Sequence, residues 1–284
     1  MIVVIGKSGQ LARELAAAAP DTTVCLGRDD IDITNAQSIS TTLQQYNASA
    51  VINASAYTAV DKAESEPEQA FLINDTAVGL LGEYCAAHNL HLVQVSTDYV
   101  FNGQHHTPVE IDALRDPIGV YGASKAAGEQ ALESIDGLSY TLIRTAWVYS
   151  RFGNNFVHTM LRLMKEKPHL GVIADQIGTP TCAAGLAQAC LFAAHHAVQG
   201  NHHWTDQGVA SWYDFAVAIQ RLAIAKGLLD KAVPVNPITT ADYPTPAQRP
   251  AYSVLSKATL KTAFADVEQQ HWEARLASML DTLN

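Results

Sequence analysis

Cysteine is scarce in this sequence: Cys25, Cys85, Cys182 and Cys190 are scattered and form no CxxC pair. That spacing argues against a disulfide framework or a cysteine zinc site and leaves reduced structural thiols. Positive charge is short as well, with 18 Lys and Arg against 28 Asp and Glu and a formal net charge of −10. Nucleic acid and anionic membrane surfaces need a basic field, so neither is expected as a partner. An anionic small molecule stays open, because a few local cations or a helix N-terminus suffice to hold one. No apolar run approaches the ~20 residues of a membrane-spanning helix, and the sequence has no internal repeat or low-complexity tract. Ile2 to Ile5 already read as a strand, with no basic leader before them, so a secretory signal is not expected and the expected compartment is the cytoplasm.

What is present is an apolar, alternating chain. At 284 residues and 48% hydrophobic, it can bury one large core and a smaller one. Short β-branched runs at Ile2–Ile5, Thr23–Leu26, Ala50–Asn53, His91–Ser96 and Tyr140–Arg144 alternate with helical patterns near 10–19, 36–46, 68–89 and 121–135. This predicts an α/β fold, a Rossmann-type doubly wound parallel sheet. A later set, strand Gly171–Ile173, helix Ala183–Val198 and strand His202–Thr205, is expected to return to it. The expected division is a nucleotide-binding domain over 1–149 with return segments near 171–208, and a smaller C-terminal substrate domain from 150–170 and 209–284. In the latter, a helix runs from Trp212 to about Lys226, the proline-rich 233–250 reads as a loop, and a closing helix covers 258–283.

Directly after the first strand comes Gly6-Lys-Ser-Gly9-Gln10-Leu11-Ala12, leading into a helix. Small residues in a strand-to-helix turn let backbone N–H groups approach a pyrophosphate. At the end of the second strand Arg28 suits a 2′-phosphate, while Asp29 and Asp30 blur that signal, so NADPH is preferred and NADH stays open. Asp32 and Ile33 suit either an adenine contact or a helix N-cap.

Tyr121 and Lys125 in YGASK stand four residues apart and share one helix face. A phenol near pKa ~10 is a reluctant acid or base at neutral pH unless a cation eases it, and Lys125 is placed for that. At the end of the fourth strand, Ser96-Thr97-Asp98-Tyr99-Val100-Phe101 offers a hydroxyl for a carbonyl and its developing alkoxide.

Together these motifs resemble the extended short-chain dehydrogenase/reductases. The stretches VDKAESE at 60–66, STDYVF at 96–101, RTAWVY at 144–149, GNNF at 153–156 and YPTPAQRP at 243–250 are similar to the dTDP-4-dehydrorhamnose reductase family. The resemblance implies Thr97, Tyr121 and Lys125 as the catalytic set, Asp98 and Trp147 against the sugar, Gly9, Gln10 and Leu11 at the pyrophosphate, Asp32 and Ile33 at the adenine side, and Ala56, Tyr57 and Thr58 holding the nicotinamide cofactor below the third strand. The implied reaction is reduction of the 4-keto group of dTDP-4-dehydro-6-deoxy-L-mannose by NADPH to dTDP-L-rhamnose, a step of rhamnose and O-antigen biosynthesis. Some members of the family dimerise around magnesium held by glutamates; no carboxylate stands between Gly178 and Cys190 here, so no metal is expected and a monomer or weak homodimer is.

Two rival functions follow from the same residues. A nucleotide-sugar dehydratase or epimerase could use this scaffold, but dehydratases carry Asp-Glu after the threonine where this chain has Asp98-Tyr99. A silent NADP-binding regulatory subunit is the other, set against the presence of both Tyr121 and Lys125. The histidine pairs at 105/106, 195/196 and 202/203 are expected at the surface or helix ends, since neighbouring residues diverge and no partner lies at ligand spacing. Arg249 is open between a diphosphate contact and an ordinary surface arginine.

Overall fold

Strands buried at every position, such as IVVI at Ile2–Ile5 (β1) and AVIN at Ala50–Asn53 (β3), must be covered on both faces. The computed structural model, which describes residues 1–283, meets that requirement with helices on either side of a six-stranded parallel sheet. With β2 at Thr23–Leu26, β4 at His91–Thr97 and β5 at Tyr140–Thr145, the order is Gly200–His203, β5, β4, β3, β1, β2. Alternation sets the two layers. Ile2, Val4 and Ile52 pack with Leu15, Leu186 and Cys190 on one face, while Val3, Ile5 and Val51 pack with Ile39, Leu81 and Leu132 on the other. A third core, built from 149–172, 210–233 and 272–280 and centred on Tyr149, Phe215 and Leu276, lies apart from the sheet.

Several expectations need correction. Leu170–Ile173 does not return to the large sheet; it pairs in parallel with Val235–Ile238 as a two-stranded ribbon. Pro237 in the latter cannot donate to a ladder, which an edge position tolerates, so part of the expected proline-rich loop is a strand. The closing helix is two pieces, Leu260–Ala263 and Trp272–Asp281, the second capped by His271. His202 and His203 are buried in the edge strand, not exposed; His203 Nδ1 meets Ser256 O at 3.1 Å, and burial holds its pKa down at about 3. Among the described residues no helix is long and apolar enough to cross a membrane.

The helix expected over 68–89 is interrupted by a π-turn at Leu72–Thr76. The turn brings Asn74 O against the Val120–Glu133 helix at Gly128, where an added Cβ would lie 2.0 Å from that oxygen. Gly122 is pressed equally hard on Tyr99 O, at 2.1 Å. Both contacts are with backbone, which cannot swing aside. Gly128→Ala should therefore destabilise the fold by about 1–3 kcal/mol or more, read as a lower urea midpoint, whereas Gly137→Ala, with nothing near its added Cβ but a positive φ of 73°, should cost only about 1 kcal/mol.

Candidate active site

The turn after β1 is shaped by Gly6. Its φ is +112°, and a Cβ there would meet Ala54 C and O at 3.3 Å, so only glycine lets the turn lie so close to the strand end. The helix it opens, Gln10–Ala18 (α1), starts at Gly9 with no side-chain cap. Its first N–H groups thus stay available as an anion site. The 150–155 segment docks on this helix: Asn155 Nδ2 donates to Gln10 Oε1 at 3.0 Å and Ser150 Oγ to the buried Glu14 at 2.6 Å.

From that turn a single cavity of about 1360 Å³ runs along the C-terminal edge of the sheet, the edge at which open α/β folds bind ligands. Gly6, Gly9, Gln10, Leu11, Arg28, Asp32, Ile33, Ala56, Thr58, Thr97, Asp98, Tyr121, Lys125 and Trp147 all line it. Tyr57 does not. Its hydroxyl donates to Glu66 at 2.8 Å, and its backbone is held from behind by Asn74, which accepts from Tyr57 N and donates to Tyr57 O and to Ser124 Oγ. Local sequence gave no sign of Asn74, although a π-turn commonly marks a functional site. Lys7 is a second omission: it lines the Arg28 end of the cavity, with Asp30 at 3.3 Å.

At the other end Thr97 Oγ1 donates to Asp98 Oδ1 at 3.0 Å and accepts from Tyr99 N. Asp98 is 2% exposed, and burial raises its carboxyl to about 6 against downward pulls from the hydroxyls of Ser253 and Thr97. Thr145 Oγ1, also on the cavity wall, is buried without a partner. Unsatisfied buried acceptors and donors facing a cavity are groups that a ligand completes. Burial pushes the Tyr121 phenol up to about 12, against a downward pull from Thr97. Lys125 Nζ donates to Val95 O at 2.7 Å, and burial lowers its pKa to about 8 against an upward pull from Glu129. The acidic 61–66 segment is structural here. Glu64 accepts from Val120 N at the start of the Val120–Glu133 helix, and Asp61 takes both guanidinium nitrogens of Arg249, at 2.9 and 2.8 Å. Among the described residues no group of three His, Cys, Asp or Glu side chains could hold a metal.

A doubly wound sheet with an open glycine-rich helix start, and a threonine, tyrosine and lysine on the same cavity, defines an NAD(P)-dependent oxidoreductase of the extended short-chain type. Comparison narrows the class. The model of the RmlD substrate binding domain family matches residues 1–284. The dTDP-4-dehydrorhamnose reductase of Aggregatibacter actinomycetemcomitans is 38% identical over 98% of this chain and 97% of its own length. The crystal structure of a dTDP-4-dehydrorhamnose reductase from Clostridium acetobutylicum superposes with a TM-score of 0.92 at 36% identity, covering 99% of both chains. That of the Bacillus anthracis reductase, in complex with NADP, gives 0.91 at 32% identity over 99% of this chain and 98% of that one. The chain belongs to the dTDP-4-dehydrorhamnose reductase family.

Lys125 carries a charge into a buried site, so its folded pKa lies below the unfolded one. The cost is fully present below about pH 8 and fades as pH rises toward the ordinary lysine value of 10.5. Lys125→Met should stabilise the cofactor-free protein at pH 7 by on the order of 1–3 kcal/mol, and the gain should shrink between pH 8 and 10.5; thermal melts across that range test it.

Proposed function

We propose that the protein reduces the 4-keto group of dTDP-4-dehydro-6-deoxy-L-mannose with NADPH, giving dTDP-L-rhamnose. One observation carries the reading: a single cavity joins the open phosphate turn to Thr97, Tyr121 and Trp147. NADPH, when bound, supplies the hydride to the carbonyl carbon. The chain's own residues position and polarise. Gly6 and Gly9 leave room and donors for the pyrophosphate, and Arg28 with Lys7 offers positive charge where a 2′-phosphate would lie. Asp98 on the cavity wall suits a sugar hydroxyl, and Trp147 gives the deoxysugar an apolar face.

Tyr121 keeps its proton at neutral pH, as a donor to a developing alkoxide must. Thr97 stabilises the same oxygen by a hydrogen bond, and proton transfer from Tyr121 Oη completes the alcohol while leaving a phenolate. Lys125, charged below about pH 8, is the cation that steadies this phenolate and meets the nicotinamide ribose. Its reach toward Val95 O keeps it on the cavity wall.

Incubation with NADPH and the keto-sugar nucleotide, followed by nicotinamide absorbance and NMR of the product, tests the reading; no absorbance loss refutes the substrate. Tyr121→Phe should lower kcat by about 10²–10⁴-fold with NADPH binding retained, and normal turnover would exclude the mechanism. Arg28→Ala together with Lys7→Ala should raise KM for NADPH by on the order of tenfold and leave KM for NADH nearly unchanged; equal effects on both would show that neither cation meets the 2′-phosphate.

A further inference from the structure

Trp147 stands in a backbone conformation that a large side chain seldom takes. Its φ is +49°, the left-handed region, where a bulky L-residue is strained and persists only when its surroundings hold it. Those surroundings come from distant parts of the chain. One face of the indole is covered by Trp212, with ring centroids 3.7 Å apart and planes 10° from parallel. Its edge rests on Gly178, where an added Cβ would lie 2.7 Å from Trp147 Cε2 and 2.9 Å from Ser253 Oγ. The two supports are locked to each other: Ala210–Ser211 pairs antiparallel with Ile177–Gly178, Ala210 opposite Gly178. Trp212 then begins the Trp212–Ala225 helix, fixed at its start by a capping box in which Ser211 Oγ accepts from Asp214 N and Asp214 Oδ2 from Ser211 N. Phe156 backs Trp212 at 4.7 Å. Trp147 lines the cavity; Trp212 and Gly178 do not.

We infer that Trp212 and Gly178 are positioning residues for the sugar site: together they hold the Trp147 indole at the one height and tilt that fit the deoxysugar. The inference rests on the reading that Trp147 faces the sugar. It also explains the strain, since a relaxed Trp147 would leave the Trp212 face and move the cavity wall.

Stacked indoles couple their transitions and give a far-ultraviolet circular dichroism couplet, which separates the stack from general folding. Wild type should show the couplet and Trp147→Ala should not. Trp212→Leu should abolish it and raise KM for the dTDP-keto sugar about 3–10-fold, with kcat and the Kd of NADPH held. Trp212→Phe, which keeps an aromatic face, should restore KM toward wild type. Gly178→Ala should raise KM with both indoles still present. A wild-type spectrum without a couplet overturns the proposal, as does Trp212→Leu with unchanged KM when Trp147→Ala raises it. An unchanged KM in Trp147→Ala removes the functional reading of Trp147 and the proposal with it. If Trp212→Leu fails to bind NADPH and is thus misfolded, Gly178→Ala decides: a normal KM there overturns the proposal.

Discussion

A single buried carboxylate, Glu129, organises the part of this molecule that carries Tyr121, Lys125 and Thr97. It is 1% exposed and receives Arg144 through Nε at 3.0 Å and Nη2 at 2.7 Å, Arg115 at 3.1 Å, and the hydroxyl of Ser96. An ionised group in such a place needs every partner, since removing one from a buried pair commonly costs about 3–5 kcal/mol. The partners come from separate elements. Glu129 is on the helix of Tyr121 and Lys125, eight residues beyond the first and four beyond the second; Arg144 is on β5; Ser96 is on β4, beside Thr97. Arg144 Nη1 also donates to Ile111 O at 2.8 Å, which ties down the loop before the Tyr121 helix. The network thus sets the register of the helix against the strands, and with it the relation of phenol, ammonium and hydroxyl. It also biases Lys125 toward its charged form.

Around that fixed point the rest of the fold supplies room and closure. Parallel strands end on one edge, so Thr97, Thr145 and the phosphate turn open on a common cavity. The smaller core contributes its wall through Trp147, whose φ is +49°. Asp61 and Arg249 join the short Val60–Ala63 helix after β3 to the chain near 245–249. The burial that forms the site is what moves its ionisations: the phenol rises, the ammonium falls, and Asp98 rises to about 6.

Much of this could be read from residue order alone. The five strands β1–β5 fall where β-branched runs stand, because parallel strands covered on both faces must be almost wholly apolar. A tyrosine and a lysine four residues apart occur on many helices, and YGASK is informative only beside the Gly6–Ala12 turn and Thr97. Other features escaped for physical reasons. Val235–Ile238 contains a proline and is half exposed, so it lacks a strand signature, and its pairing with Leu170–Ile173 depends on a contact about 65 residues away. Tyr57 sits inside a run of cavity residues, and only tertiary contacts with Asn74 and Glu66 turn its ring aside. Trp212, Gly178 and Glu129 act through other side chains, and no local pattern records which side chain will be met.

The central claim is that the hydride donor and the sugar ketone meet in this one cavity beside Tyr121. Turnover with NADPH deuterated at the transferring position, followed by NMR of the dTDP-sugar product, tests it most directly. The account predicts a single deuterium at C4, in one configuration. Deuterium at another carbon, label on both faces of C4, or release of unlabelled product would contradict it.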